Sequence, residues 1–219
     1  MKKKLLIIIL SIVVLLLLII FIPFIVLRIK TNKLYSDYSY LKDDSVYSKV
    51  ASVEGVELVP QHISCGYATI EMLSSFYGDR VTEDELDSRN KSISTSSSNG
   101  FLKEVNKSIP SKEFVKRDYL KNDELLKEIH DALSNGNPVA IIWAALYEDE
   151  WTLHFSVVTS LDISNDIVTI NNPYGYIETI NIDEFLSRTS FKSFTNMPLF
   201  LKFGFAFKAF EKNTIFYAK

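Results

Sequence analysis

The chain has 219 residues, of which 47% are apolar, and a formal net charge of -3 at pH 7. The apolar excess is concentrated at the N-terminus, where residues 1–30 carry five basic side chains and no acidic one. The remaining residues hold 19 basic and 27 acidic side chains. This acidic balance argues against nucleic acid as a partner, because phosphate recognition needs a basic surface. A single cysteine excludes an intramolecular disulfide framework and a cysteine-rich zinc site.

The first segment is a 23-residue apolar run from Leu5 to Leu27, interrupted only by Ser11 and Pro23. A helix of that length, at about 1.5 Å per residue, crosses a hydrocarbon core of roughly 30 Å. A cleavable signal peptide is the competing interpretation, but its apolar region is about 7–15 residues long and ends in small residues. Bulky residues stand at the end of this run. We therefore expect an uncleaved signal anchor over residues 1–30, with the lipid bilayer as a partner.

Basic residues flank the apolar run on both sides and bear on its orientation. They are Lys2, Lys3 and Lys4 before the run, and Arg28, Lys30 and Lys33 after it. Together with the terminal amine, they favour a cytoplasmic N-terminus and an extracellular domain on a single-pass membrane protein. A domain held on the cytoplasmic face is the alternative.

The rest of the chain divides into a polar juxtamembrane spacer, residues 31–52, and a folded domain, residues 53–219. Apolar periodicity and capping residues predict helices in the first half of this domain. They are a helix from Cys65 to Tyr77 ended by Gly78, a helix over Glu83–Arg89 opened by a Thr82–Glu85 capping box, a short helix near Phe101–Lys107 after a serine-rich loop Ser92–Asn99, and a helix over Asp123–Ser134 capped by Asn122.

The second half of the domain is predicted to be mainly sheet. Apolar runs between turn residues indicate strands over Pro138–Leu146, His154–Leu161, Ile167–Ile170 and Tyr176–Ile182, then a short helix capped by Asp183, then a hairpin formed by Phe203–Phe210 and Thr214–Ala218. Helices followed by an antiparallel sheet make an α+β fold.

The lone Cys65 lies where the first of these helices begins. Backbone N–H groups and the dipole of a helix N-terminus stabilise a thiolate, so we expect a lowered pKa for this thiol. A nucleophilic thiol also needs a base, which is usually a histidine oriented by a third polar group. The alternative is that Cys65 is a buried apolar filler, a common role for a lone cysteine.

Three histidines are candidates for the base. His130 lies on the Asp123–Ser134 helix and is better explained as a helix-end residue, and His62 is better explained as a loop residue. His154 begins a strand, and Asn172 lies at the far end of the next one, so an antiparallel pairing brings the two together. Asn172 can then fix the tautomer of His154, although it can equally serve only the turn before Pro173.

Five short motifs in this order resemble the C-39-like cysteine peptidases. They are Val59-Pro60-Gln61 before Cys65-Gly66-Tyr67-Ala68, Gly136-Asn137-Pro138-Val139, His154-Phe155-Ser156-Val157-Val158, Asn172-Pro173-Tyr174-Gly175, and Asp183-Glu184-Phe185. These papain-fold enzymes include leader-processing domains of bacteriocin exporters and many stand-alone bacterial surface proteins. The resemblance extends over about residues 53–188 and implies a papain-like fold.

The resemblance implies a thiol protease with Cys65 as nucleophile, His154 as general base and then general acid, and Asn172 orienting His154. Gln61 resembles the glutamine of the oxyanion hole. The implied substrate is a peptide or protein. The reaction needs no metal or organic cofactor, and the sequence carries no P-loop or dinucleotide motif.

Two alternatives to a peptidase stay open. A catalytically inactive binding module is supported by Asn172, where the family more often has Asp, and by the three residues that separate Gln61 from Cys65, fewer than the family leads us to expect. An acyl or peptidyl transferase would use the same Cys–His pair with an amine or thiol in place of water. The sequence does not fix the oligomeric state.

Overall fold

The structure is a computed structural model that describes residues 2–90, 97–192, 197–207 and 210–219. The helices, in chain order, are α1 Lys2–Asn32, α2 Cys65–Tyr77, α3 Glu83–Asn90, α4 Ser98–Ser108, α5 Asn122–Ser134, α6 Ile182–Thr189 and α7 Leu199–Ala206. The strands are β1 Ala51–Ser52, β2 Phe114–Arg117, β3 Val139–Tyr147, β4 Glu150–Asp162, β5 Ile167–Asn172, β6 Tyr176–Ile180 and β7 Thr214–Ala218.

The strands form one antiparallel sheet in the order β2-β7-β3-β4-β5-β6, and β1 pairs with β4 outside this path. The central hairpin is β3–β4, in which Trp143 lies opposite His154. Helices pack on both faces of the sheet, and the predicted α+β class is confirmed. The four strands predicted between residues 138 and 182 are present as β3, β4, β5 and β6, with ends that differ from the prediction by a few residues.

Two apolar clusters fill the two faces of the sheet. One cluster joins α2 and α4 to the face that carries Phe155 and Val157. The other joins α5 and α6 to the face that carries Ile141 and Trp143, and both of these side chains are fully buried. Because successive residues of a strand point to opposite faces, neighbouring positions on β4 serve different cores.

The first helix, α1, stands apart from these cores. Among the described residues it is the helix long and apolar enough to cross a membrane, over Lys3–Asn32. Most of its large apolar side chains are exposed. The segment that follows contacts the domain. It contains a short 3₁₀ helix, Ser39–Lys42, whose Leu41 is fully buried, and β1, whose Ala51 lies opposite Leu161.

Two predicted helix caps differ from the structure. The predicted α2 and its end at Gly78, which has a φ of 88°, are present, as is the Thr82–Glu85 capping box. Asn122 does not cap α5, because the helix begins one residue earlier than expected and Ser36 Oγ accepts the N–H of Asp123. Asp183 does not cap α6, because Asn181 takes that place and accepts the N–H of Glu184.

The helix α4 begins earlier than predicted, at Ser98 with Ser97 as its N-cap. The predicted serine-rich loop therefore ends before Ser98, and its positions 92–96 lie outside the described residues. The strand β2 was not predicted from the sequence.

The predicted hairpin at the C-terminus is wrong. Residues 203–206 belong to the helix α7, and β7 pairs with β2 and β3 instead of with a neighbouring strand. The physical reason is the spacing of the buried side chains, since Leu201 and Phe205 are four residues apart and share one helix face. An aromatic-rich composition favours strands, but packing against the domain overrides that preference.

Candidate active site

Cys65 is the first residue of α2, and the N-terminus of this helix is well capped. Ser64 Oγ accepts the N–H of Tyr67 at 3.2 Å, and the Ser64 backbone is extended, as is usual at an N-cap. The Cys65 thiol is half-buried, and the backbone N–H groups of Phe155, Gly66 and Cys65 itself act on it so as to lower its pKa. Phe155 directly follows His154 on β4, so the start of α2 lies beside the part of β4 that carries His154.

The ionisation of Cys65 differs from the expectation. Burial raises the pKa of the Cys65 thiol, and this effect outweighs the three backbone N–H groups that lower it. The nearby Glu83 carboxylate also raises it. The predicted lowering of the pKa is therefore wrong, because burial destabilises the thiolate more than the helix N-terminus stabilises it.

His154 lies on β4 with its ring buried and bonded to Asn172. Its Nε2 is 2.9 Å from Asn172 Oδ1. Burial lowers the pKa of His154 to about 4, although the bond to Asn172 raises it, and the Arg188 cation lowers it further. The imidazole is consequently neutral at pH 7, in which state one ring nitrogen can accept a proton.

The hydrogen-bond network around Asn172 fixes which ring nitrogen that is. Asn172 Oδ1 also accepts the N–H of Tyr174 at 3.0 Å, while Asn172 Nδ2 donates to Glu178 Oε2 at 3.0 Å. These partners orient the amide, so its oxygen faces His154. An amide oxygen only accepts, and Nε2 of the neutral ring must therefore carry the hydrogen. Nδ1 is left with the lone pair of a general base.

Behind Asn172, Glu178 pairs with Arg188 of α6. Arg188 Nη1 donates to Glu178 Oε1, and Arg188 Nε donates to the carbonyl oxygen of Ala144 at 2.7 Å. The guanidinium carbon lies 3.6 Å from the centroid of the Trp143 ring. The side chain of Arg188 is only 4% exposed, and its charge is met by a carboxylate, a carbonyl and an aromatic face.

Tyr174 covers one face of the His154 imidazole. Its ring stacks on His154 with centroids 4.1 Å apart and an interplanar angle of 25°. The Tyr174 hydroxyl lies 3.1 Å from Thr152 Oγ1. This contact helps to exclude water from the ring and contributes to the burial that keeps His154 neutral.

Gln61 precedes Cys65 in a loop that is fastened at both ends. The Gln61 N–H donates to the carbonyl oxygen of Pro173 at 2.7 Å, which ties the loop to the turn that follows Asn172. The Gln61 Oε1 atom is buried and makes no hydrogen bond within the described part of the chain. The structure thus brings the backbone of Gln61 next to the Asn172 turn.

Glu83 of α3 holds the rest of this loop. Its side chain is fully buried, and its carboxylate accepts three backbone N–H groups, from His62 at 3.2 Å, Ile63 at 2.9 Å and Ser64 at 3.0 Å. Three consecutive backbone amides on one carboxylate fix the path of the loop into α2. This arrangement determines where Cys65 begins its helix.

A family comparison bears on this arrangement. The model of the Peptidase_C39 like family matches residues 53–197, which is most of the folded part and includes Cys65, His154 and Asn172. The chain belongs to the Peptidase_C39 like family.

This Peptidase_C39 like chain was also compared with solved structures and with curated protein sequences. It is similar to the crystal structure of a double glycine motif protease from an AMS/PCAT transporter in complex with the leader peptide, at 18% sequence identity and a TM-score of 0.46. The similarity covers 78% of this chain and 92% of that one. No curated protein sequence matches the chain.

The other two histidines of this Peptidase_C39 like chain lie elsewhere. His130 is buried on α5, where its Nε2 lies 2.9 Å from the carbonyl oxygen of Lys49 and its ring contacts Tyr47. His62 is exposed beside Glu83, and a hydrogen bond to Asp84 raises its pKa. Within the described residues, no three side chains of the His, Cys, Asp and Glu types are grouped as metal ligands.

Three residues around the site had no signal in the sequence, namely Glu83, Glu178 and Arg188, and Tyr174 was noted only as part of a motif. Glu83 lies among charged residues of a short helix, which normally face solvent. Arg188 has a helical partner in Glu184, four residues earlier, and this pattern indicates an ordinary surface pair. Only the tertiary fold reveals that both side chains are buried.

Proposed function

We propose that the chain is a cysteine peptidase anchored in a membrane, with Cys65 as nucleophile, His154 as general base and Asn172 as the residue that orients His154. The observation that supports this most directly is the buried bond between His154 Nε2 and Asn172 Oδ1, on a strand whose Phe155 N–H lowers the pKa of the Cys65 thiol. Membership of the Peptidase_C39 like family supports the class of reaction.

The proposed reaction begins with a neutral pair. His154 Nδ1 takes the proton of the Cys65 thiol as the sulfur attacks the carbonyl carbon of a peptide. The carbonyl oxygen becomes an oxyanion, for which the Cys65 N–H and the Gln61 amide are the proposed donors. The imidazolium then gives its proton to the leaving amine, and a thioester remains on Cys65.

Water completes the cycle. Neutral His154 takes a proton from water, which attacks the thioester carbonyl carbon. The bond to sulfur breaks, the proton returns to the sulfur, and the carboxylic acid leaves. Asn172 keeps Nδ1 directed at the reacting groups during both half-reactions, since its oxygen holds the Nε2 hydrogen. These steps need no metal or organic cofactor.

The membrane part of the proposal depends on α1. A 31-residue helix that is mostly apolar and exposed has the length and composition of a membrane span. The basic residues before it favour a cytoplasmic N-terminus, which gives an extracellular catalytic domain. We retain the division into an anchor over residues 1–30, a spacer over 31–52 and a peptidase domain over 53–219.

A catalytically inactive binding module is the second candidate. The raised pKa of Cys65 and the Gln61 Oε1 atom, which has no hydrogen-bond partner among the described residues, favour it. A nucleophilic thiol is helped by a low pKa, and an oxyanion donor by an amide held in place by hydrogen bonds. A silent module would keep the buried His154–Asn172 pair only for stability. The two candidates differ in whether Cys65 can be acylated.

The deciding experiment uses the full chain in detergent micelles and p-nitrophenyl acetate, an ester that makes few demands on specificity. A peptidase releases p-nitrophenolate, carries a transient acetyl group on Cys65 by intact mass, and returns to the free thiol in water. A transferase passes the acetyl group to added glycinamide in preference to water. If the wild type carries no more acetyl groups than the Cys65→Ala variant, both the peptidase and the transferase are rejected and the binding module is favoured.

A further inference from the structure

The helix α7 is apolar on nearly every side. Its eight residues include one charged side chain, Lys202, and no other polar one. A helix that is apolar all round is normally enclosed in a protein core or in lipid. Among the described residues, the domain buries the face of α7 that carries Leu201 and Phe205, which are 5% and 1% exposed.

The other face of α7 is open. Leu199 and Phe200 are 60% and 68% exposed, and Phe207, directly after the helix, is 69% exposed. The Phe207 ring stacks on that of Phe203, with centroids 6.4 Å apart. Large aromatic side chains in such a group are costly to leave in water, so this face is expected to be covered.

Contacts with α1 give the position of α7 relative to the apolar run. Lys202 Nζ lies 5.9 Å from the centroid of the Phe24 ring, and Lys30 Nζ donates to the carbonyl oxygen of Ala206. Lys202 near the start of α7 contacts Phe24 of α1, and Ala206 at the end of α7 contacts Lys30, which follows Phe24 on α1. The two helices therefore run in the same general direction, and the N-terminal end of α7 points toward the middle of the apolar run.

We propose that α7 is a second membrane contact, which inserts Leu199 and Phe200 into the bilayer beside α1. This inference rests on the proposed anchoring by α1. Phe24 lies about 5 Å inside the end of the run at Leu27, given a rise of about 1.5 Å per residue. Leu199 and Phe200 precede Lys202 on α7 and so lie deeper, within the roughly 5–10 Å that interfacial helices reach.

Lipid is the occupant because the open face of α7 continues the exposed surface of α1. Both helices expose large apolar side chains and touch each other directly. The Lys202 ammonium lies over the Phe24 ring near the end of the run, and the long apolar stem of a lysine is compatible with that position. Phe207 at the far end of α7 lies near Lys30, at the level of the polar interface.

The test measures the depth of single sites with nitroxide labels. Cys65→Ser removes the lone native thiol, and single cysteines are then introduced as Phe200→Cys, Phe207→Cys, Leu15→Cys and Ile177→Cys. Ile177 on β6 is a matched apolar control, with 61% exposure. The full chain is reconstituted into vesicles of phosphatidylcholine and phosphatidylglycerol. Relaxation by oxygen reports lipid, and relaxation by a water-soluble nickel chelate reports solvent. Unchanged thermal unfolding shows that each labelled chain is folded.

The proposal predicts that labels at Phe200 and Leu15 are both relaxed mainly by oxygen. The label at Ile177 should be relaxed mainly by the chelate, and the label at Phe207 should give an intermediate ratio. If Leu15 lies in lipid but Phe200 behaves like Ile177, the α7 contact is rejected and the anchor stands. A Phe200 label shielded from both reagents points to a protein partner and also rejects it. If Leu15 itself favours the chelate, the anchor fails, and the α7 contact with it.

Discussion

The Cys65 side and the His154 side of the site each depend on a glutamate, and the two glutamates have different partners. Glu83 accepts three neutral backbone N–H groups from the loop that leads into α2. Glu178 accepts the Asn172 amide and the charged Arg188 guanidinium. The first glutamate holds a stretch of backbone, whereas the second holds a side chain that in turn holds an imidazole.

The difference has an energetic consequence. A carboxylate solvated by neutral amides keeps its negative charge near the sulfur, and Glu83 indeed raises the pKa of Cys65. On the other side, burial and then the charge of the Arg188 cation lower the pKa of His154. Both arrangements favour a neutral thiol and a neutral imidazole at rest. The site thus resists forming an ion pair before substrate binds.

The largest effect is expected on the His154 side, from Arg188→Met. Removing the cation leaves the Glu178 carboxylate without its ion partner, and loss of one member of a buried pair typically costs about 3–5 kcal/mol of unfolding free energy. Urea unfolding in micelles measures this. Arg117→Met is the matched control, because Arg117 is 52% exposed and pairs with Glu128 at the surface, where a loss of about 1 kcal/mol or less is expected. Equal losses in the two variants would show that the Glu178–Arg188 pair does not organise this side.

An intermediate effect is expected on the Cys65 side, from Glu83→Ala. Three backbone N–H groups lose their acceptor, and partial access of water limits the cost to about 2–3 kcal/mol of unfolding free energy. The acylation rate of Cys65 falls as well, because the loop no longer fixes the start of α2. Asp84→Ala, at an 83% exposed neighbour, serves as the control and should change stability by less than about 0.5 kcal/mol. An acylation rate that is unchanged in Glu83→Ala would contradict the assigned role.

The smallest effect concerns pH. The pKa of His154 is about 4, so its ring stays neutral from pH 7 down to pH 5 and loses its base function only as the pH approaches 4. We expect the acylation rate with p-nitrophenyl acetate to fall by about a tenth between pH 7 and pH 5, whereas a histidine at its ordinary pKa of about 6.5 would lose most of its activity. A steep loss near pH 6.5 would show that burial does not control the ring.

The sequence predicts the parts of the fold whose signals are local. The start of α2 at Cys65, its end at Gly78 and the Thr82–Glu85 capping box depend on neighbouring residues and are present in the structure. The tail is different, because β7 pairs with strands from far earlier in the chain. Local patterns could not reveal that pairing, and the aromatic residues of the predicted first hairpin strand are compatible with a strand as well as with the helix α7.

The same division holds for the site. His154 and Asn172 are predicted to meet because they lie on adjacent antiparallel strands, and the structure has them bonded. The pKa of Cys65 could not be obtained this way, because the helix N-terminus is a local feature but burial is a tertiary one. Glu83 and Arg188 were missed for the same reason, since each is a charged residue on a short helix that becomes buried only on folding.

If His154 is the base for Cys65, its removal must slow the single-turnover acylation of Cys65 by p-nitrophenyl acetate at pH 7. We expect His154→Ala to slow the acetylation of Cys65 by about 10²-fold or more, the usual contribution of a positioned base. The residual rate should rise with pH as the thiolate forms, while the wild-type rate stays nearly flat between pH 5 and pH 8. Equal rates in the wild type and in His154→Ala, with the same dependence on pH, would contradict it.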